Sequence, residues 1–405
     1  MKKIIGIVDA DLLDNGTRHP NLVCLKLAEW YRAQGDTVLL IDSWEDLLYH
    51  AKEYDHIFIA KVFDFTRIPE GVLDLHNVSY GGTGFPDSFI AFPPGGSNLP
   101  AETIERRGVI RTLPNVIEHH MPDYHLYDRY VEKEITRGIK PIKYKDYLDF
   151  SIGFATRGCF RHCKFCVNEN SCGVRFHSHI SEWLDPTRKM IYLWDDNILA
   201  YTHDPNHPDG NWRQVFEELA ETGKRFQFRQ GMDIRLMTDE KAKVLNEAHY
   251  YGDYIFAFDH PEERPSIEKG LDCWRRHNDK IPKLYVLVGW DSQDQNDIES
   301  AFMRITVLMK HRALPYIMRH ELYKNSKYRG TYINLARWCN QPSFFKKKSY
   351  REYCLANGEH SSTVRYMREF EHDWPEIAKK YYDIRWDQFN RRIVKLSATP
   401  LRNRP

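Results

Sequence analysis

From about residue 149 to 320 the chain alternates a strand-length run with a helical stretch six times. The candidate strands are 152–156, 190–194, 226–230, 254–258, 284–288 and 315–318, and helical patterns such as 212–222, 238–248 and 297–310 lie between them. A helix between consecutive strands leads the chain back to start the next strand in the same direction, so this alternation predicts parallel pairing. In folds of this kind the chemistry sits at the carboxyl ends of the strands. That rule points to the residues just after each run.

Directly after the first run comes Ala155-Thr-Arg-Gly-Cys159-Phe-Arg-His-Cys163-Lys-Phe-Cys166. The spacing is C-x3-C-x2-C, and no fourth cysteine follows within a few residues. Closed iron–sulfur and structural zinc sites take four protein ligands. Three thiolates on one loop would instead hold a 4Fe–4S cubane by three irons, leaving the fourth open to a small molecule. The alternative is half of a zinc ribbon, but Cys24, Cys172, Cys273, Cys339 and Cys354 supply no second C-x2-C pair. Cys172, six residues past Cys166, is close enough in sequence to be a fourth ligand. Arg157, Arg161, His162 and Lys164 surround the cysteines, and positive charge of this kind lowers thiol pKa values and stabilises an anionic cluster.

This loop, with Phe165 just before its last cysteine, resembles the cluster loop of the radical SAM superfamily. The resemblance implies a partial (β/α)6 barrel over residues 141–322 and a 4Fe–4S cluster on Cys159, Cys163 and Cys166. It also implies S-adenosylmethionine chelated at the open iron, with Phe165 beside it. Reductive cleavage to a 5′-deoxyadenosyl radical would follow, with an electron carrier such as flavodoxin or ferredoxin as partner. By the same alignment the remaining contacts fall at strand ends. After the second strand, Asp196 or Asn197 stands where the family often carries a G-G-E-type motif for the methionyl ammonium, or serves as ordinary turn chemistry. After the third, alternation puts Gln230 and Arg229 on opposite faces. Gln230, the last strand residue and nearest the catalytic end, is the expected inward group, facing the ribose or the SAM carboxylate, with Arg229 inward in the opposite register. Arg235 suits a bidentate carboxylate grip, or a structural pair with Asp233. Asp259 is placed for ribose hydroxyls or as a helix cap, and Gly289 for close approach to adenine.

Residues 1–140 also alternate strand and helix, with apolar runs at 3–8, 37–41 and 56–60 and a turn at Tyr80-Gly81-Gly82-Thr83-Gly84. Pro20 opens a helical pattern that Gly35 ends. This layout predicts a doubly wound, Rossmann-like parallel sheet. The Pro20-Asn21 start, the Gly81-Gly82 turn and the Met121-Pro-Asp-Tyr124 lead-in resemble the domain that precedes the barrel in cobalamin-binding radical SAM enzymes, so cobalamin is a candidate cofactor and methylation a candidate reaction. The D-x-H-x-x-G corrinoid signature is absent. Asp74-Leu-His76-Asn-Val-Ser79 comes nearest, and its histidine reads as a surface residue. Methylthiotransferases of related layout bring three further cysteines to this domain, where only Cys24 stands.

Residues 323–405 form a basic, aromatic, helical extension. Lys324, Lys327, Arg329, Arg337, Lys346, Lys347, Lys348 and Arg351 are interleaved with Tyr328, Tyr332, Trp338, Phe344, Phe345 and Tyr350, and Pro375 breaks the later helical pattern. Cations among aromatics suit a nucleic-acid track, and equally a helical cap with its aromatics turned inward. Cys339 and Cys354 are either auxiliary cluster ligands or core residues. The formal net charge of +1 advertises no polyanionic partner for the whole molecule. No run approaches the roughly 20 apolar residues of a membrane span. The opening residues do not read as a signal peptide, and the cysteines do not form a secreted disulfide framework, so a reducing cytoplasm is expected. The reading from a different class is a non-catalytic metal-cluster protein that binds nucleic acid.

Overall fold

The computed structural model describes residues 2–85, 112–207 and 210–389. The chain is mixed α/β and divides into two compact units. The first comprises Met1–Ala155, His177–Trp194 and Glu217–Gln227, and the second Thr156–Phe176, Asp195–Phe216 and Phe228–Pro405.

The first unit contains a four-stranded parallel sheet of β1 (Ile4–Asp9), β2 (Thr37–Leu40), β3 (His56–Ala60) and β4 (Val78–Gly81), in the order β2-β1-β3-β4. This is the doubly wound arrangement expected from the sequence. The alternation of each strand builds two apolar layers: Ile5, Ile7 and Phe58 pack with Leu25, Ala28 and Tyr31 of the helix Leu22–Ala33, while Val8, Ile57 and Ile59 pack with Ile41 and Leu47 on the other face. Asn21 caps that helix by accepting from the amides of Val23 and Cys24. β4 was not among the expected strands, because the glycines that follow it read as a turn. Tyr124 of the Met121-Pro-Asp-Tyr124 stretch braces β5 (Phe150–Gly153): its hydroxyl accepts from Ile152 N at 2.8 Å and donates to Trp183 O at 2.7 Å.

β6 (Thr156–Arg157) and β7 (Arg175–Phe176) form a short antiparallel ribbon in the second unit. β8 (Met190–Leu193) pairs parallel with β5, and β9 (Arg225–Phe228) completes the order β5-β8-β9. β10 (Ile255–Ala257), β11 (Lys283–Val288) and β12 (Leu314–Arg319) form a parallel three-stranded sheet. The six expected strands are therefore all present, each within a few residues of its expected limits. They form two three-stranded sheets, with a single parallel bridge from Met232, beyond β9, to Phe256 of β10. The helices Trp212–Glu221, Asp239–Glu247 and Gln295–Lys310 match their sequence patterns. The helix Arg264–His277 carries Pro265 in its first turn, where a missing N–H costs nothing. Pro375 likewise starts the helix Pro375–Tyr381 and separates it from Ser362–Asp373.

Asp9 closes β1 in full burial, accepting from Tyr127 Oη at 2.9 Å and Leu12 N at 3.2 Å. Burial pushes its carboxyl up to about 7. The folded state therefore holds a proton that the unfolded chain releases near pH 4, and the stability this confers is lost as pH rises from about 4 through 7. Asp9→Asn cannot ionise; its Oδ1 still accepts from Leu12 N, and its amide nitrogen donates to Tyr127 Oη in place of the bond that Asp9 accepts there. Its stability relative to wild type should improve on the order of 2–4 kcal/mol between pH 5 and pH 8 in urea unfolding. An equal difference at the two pH values would refute the assignment.

Candidate functional site

The three cysteines lie on the excursion between β6 and β7, and two consecutive carboxylates after β8 hold its stem. Buried Asp195 accepts from both Thr156 N (2.6 Å) and Thr156 Oγ1 (2.7 Å) through one oxygen. Asp196 accepts from Gly158 N at 2.7 Å through Oδ2 and from Asn168 Nδ2 at 2.7 Å through Oδ1. Gly158 takes φ +95°, and a Cβ there would stand 2.3 Å from Gly173 O, so the residue before Cys159 must be glycine. Ser171 Oγ accepts from Cys159 N at 3.0 Å.

Sulfur acceptors occur within the same network. Asn168 N approaches Cys166 Sγ, and Asn197 Nδ2 approaches Cys159 Sγ, both at 3.5 Å. Cys159, Cys163 and Cys166 are partly exposed free thiols, and Cys172 is exposed. Among the described residues no three His, Cys, Asp or Glu side chains converge on a single metal ion. A cubane asks for something different, since its cysteines bind separate corners.

The expected lowering of thiol pKa values by flanking cations is not what the loop shows. Burial raises Cys163, aided by the neighbouring thiols and Asp259 and opposed by Arg235. Burial raises Cys166 too, with Cys159 and Asp196 adding to it. The cations are directed elsewhere. Arg161 stacks on Phe160 at 4.4 Å and pairs with Asp233 at 2.7 Å. His162 Nδ1 lies 2.6 Å from Glu169 O, and Lys164 points to solvent.

The exits of later strands come to the same loop. Phe165 packs edge-on to Trp290 after β11 and lies 5.9 Å from the His260 ring after β10. Trp290 in turn meets His320 after β12 at 4.5 Å. Asp259 accepts from Leu287 N at 3.1 Å, and its burial raises the carboxyl to about 6. With His260, Trp290, Asp297, Ser300 and Arg304 it lines a cavity of about 170 Å³. Gly289 takes φ +74° and donates to Asp297 at 2.7 Å, and a Cβ there would meet Tyr323 at 2.8 Å. Packing within the chain is thus sufficient reason for that glycine.

Several expected residues are placed differently. β9 ends at Phe228, so Gln230 lies beyond the strand and is exposed, while Gln227 is the buried polar residue. Arg235 forks onto Asp233, with Nε to Oδ1 at 2.6 Å and Nη2 to Oδ2 at 3.0 Å, and also contacts Glu263. Its guanidinium is committed to that structural pair, and the two arginines on Asp233 hold its carboxyl below the ordinary range against the cost of burial. Asp196 uses both oxygens on the loop. Asn197 is 4% exposed, and its Oδ1 meets no donor among the described residues.

Asp195, Lys241 and Arg304 escaped sequence reading because each has a partner distant in the chain. Lys241 donates to Leu199 O at 2.7 Å and Leu236 O at 3.1 Å. Arg304 donates to the carbonyls of Phe258, Asp259 and Leu287 at 3.1, 2.7 and 2.9 Å.

In the C-terminal helices Tyr332, Trp338, Phe345 and Tyr350 are buried, out of reach of a stacking base. Lys327 pairs with Asp373, and Arg351 with Glu371 and Asp383. Cys339 and Cys354 are buried free thiols whose pKa values burial raises, the latter to about 12. No described helix is long and apolar enough to cross a membrane.

Replacing Asp196 with alanine removes the acceptor for Gly158 N and Asn168 together. If the loop holds the cluster that its spacing leads one to expect, iron retained per chain after anaerobic reconstitution should fall by about tenfold, in line with disturbed ligand support. Unchanged iron would show that the loop keeps its shape without this strut.

No family model matches the chain, and no curated protein matches it. Among solved structures it is similar to the radical S-adenosylmethionine methyltransferase TsrM from Kitasatospora setae with cobalamin and a 4Fe–4S cluster bound. That pair is 12% identical with a TM-score of 0.48, over 79% of this chain and 75% of the other. The same enzyme with tryptophan substrate and the SAM analogue aza-SAM gives 13% identity and a TM-score of 0.46, over 78% and 73%. The cobalamin-dependent S-adenosylmethionine radical enzyme OxsB, with aqua-cobalamin and S-adenosylmethionine bound, gives 12% identity and a TM-score of 0.40, over 94% and 56%.

Proposed function

We propose that this chain is a radical SAM enzyme. The observation that supports this reading best is the three-cysteine loop beside the buried Asn197 Oδ1, which has no donor among the described residues. Cys159, Cys163 and Cys166 would hold a 4Fe–4S cluster, and the donor set left over suits S-adenosylmethionine at the open iron. A buried acceptor without a donor is costly, and an ammonium would satisfy it with a charge-assisted bond. When bound, the cluster supplies the electron that splits S-adenosylmethionine to methionine and a 5′-deoxyadenosyl radical.

The chain's own residues then have distinct tasks. Asp195 and Asp196 fix the loop, and Asn197 receives the methionyl ammonium. Phe165, His260 and Trp290 form an aromatic wall that limits water at the strand exits. Asp259 offers a carboxyl to a diol. Arg235, committed to Asp233, orients Arg161 indirectly rather than gripping the cofactor.

Anaerobic reconstitution, reduction and chromatography for 5′-deoxyadenosine test the reading, with Cys163→Ala as control. Product from the native chain alone is expected, and equal product from both chains, or zinc in place of iron, would overturn it. Corrinoid in the same preparation separates methyl transfer from plain hydrogen abstraction.

Asn197 gives an independent test. Asn197→Leu should raise the Kd for S-adenosylmethionine roughly 10- to 100-fold, the range for losing one charge-assisted hydrogen bond. Asn197→Asp, which keeps the acceptor, should bind far better than the leucine variant. Equal affinity for the two would assign the ammonium to another acceptor.

A further inference from the structure

We propose that Lys241 and Arg304 are positioning residues that set the rim of this site, each tying two successive strand exits together through main-chain carbonyls. Lys241, on the helix Asp239–Glu247, reaches Leu199 O and Leu236 O. Those carbonyls belong to the turns Ile198–Ala200 and Ile234–Leu236, directly after Asn197 and Asp233. Arg304, on the helix Gln295–Lys310, reaches Phe258 O and Asp259 O past β10 and Leu287 O near the end of β11. The same device therefore recurs at two neighbouring pairs of exits.

Both cations are buried, Arg304 to 1% exposure and Lys241 to 6%. Neither has a carboxylate at ion-pair distance among the described residues. Burying a charge is expensive unless it is hydrogen-bonded, and methionine would fill similar space without that cost. What the charges provide is geometry: Lys241 through Nζ, and Arg304 through the two N–H of Nη1 shared among three carbonyls, each gather carbonyls of different segments around one nitrogen. The segments held are those that carry Asn197 beside Cys159, Asp233 against Arg161, and Asp259 within electrostatic reach of Cys163. Asp297 adds to the second tie, since it lies on the same helix as Arg304 and accepts from Gly289 N at 2.7 Å.

The proposal rests on the radical SAM reading, and one set of reconstituted full-length proteins separates the two. Iron per chain, Kd for S-adenosylmethionine and thermal midpoint are measured for wild type, Lys241→Met, Arg304→Met, Arg304→Lys and Leu308→Ala. The last leaves a cavity in the helix of Arg304 without touching a carbonyl tie. Wild type should take up iron and bind S-adenosylmethionine. Failure there overturns the functional reading, and the proposal with it. With wild type competent, both methionine variants should keep their iron yet bind S-adenosylmethionine about tenfold more weakly or worse, the scale of a sub-ångström to 1 Å misplacement. Arg304→Lys should fall between wild type and Arg304→Met, and Leu308→Ala should lose thermal stability with little change in Kd. An unchanged Kd in the methionine variants, or an equal rise in Leu308→Ala, overturns the positioning role. If Arg304→Met does not fold, Arg304→Lys decides: a Kd no higher than that of Leu308→Ala overturns it.

Discussion

Two adjacent carboxylates determine where the cysteines stand. Asp195 and Asp196 are consecutive, so their side chains diverge, and each takes a different part of the loop stem: one Thr156, the other Gly158 and Asn168. Bonds from main-chain N–H to a carboxylate are each worth roughly 1.5–3 kcal/mol. A loop with this many partly exposed residues has little apolar burial of its own to define its shape, so these bonds weigh heavily. The remainder of the site follows from that placement. With Gly158 held, Cys159 comes under Asn197, Arg161 can reach Asp233, and Phe165 is delivered to the rings after β10 and β11.

The strands were legible because their signal is local. Runs such as 190–194 and 284–288 are apolar enough to announce themselves, and the observed Met190–Leu193 and Lys283–Val288 differ from them only at the ends. Ends are where the reading failed, and at a strand end a shift of two residues matters. Alternation placed Gln227 and Gln230 on opposite faces, but it could not say that the strand stops at Phe228 and leaves Gln230 in solvent. β4 was hidden for a related reason: its last residue, Gly81, belongs to a glycine cluster that reads as a turn, and the three residues before it are too few to outweigh that signal. The cysteine loop needed no such fine placement, since three cysteines in twelve residues after a strand identify themselves by spacing.

Partnership was less legible than position. The sequence shows Asp195, Asp196 and Asn197 as three neighbouring polar residues, equally suited to a cap, a turn or a ligand. Only the fold reveals that the two aspartates are occupied by amides nearly 40 residues away, while the asparagine oxygen meets no donor among the described residues. Arg235 shows the converse. Its sequence suited a ligand carboxylate, and the carboxylates it meets are Asp233, two residues away, and Glu263. A guanidinium filled by its own chain has no bidentate face left for a ligand.

The cations illustrate how little composition says about electrostatics. A formal charge of +1 hides several different uses of arginine and lysine. Lys327, Arg351 and Arg385 form pairs near the surface with acidic neighbours, where such contacts contribute about 0–1 kcal/mol. Arg161 and Arg235 converge on one buried aspartate and keep it ionised. Arg304 and Lys241 have carbonyls as partners and are held in burial by directed hydrogen bonds. In the basic, aromatic tail Lys327 and Arg351 belong to the first kind, and amphipathic helices turn Trp338, Phe345 and Tyr350 into their own core. The charges that shape the strand exits were inconspicuous in the sequence for the opposite reason. Each sits singly on a helix, where a lysine or an arginine normally reads as surface.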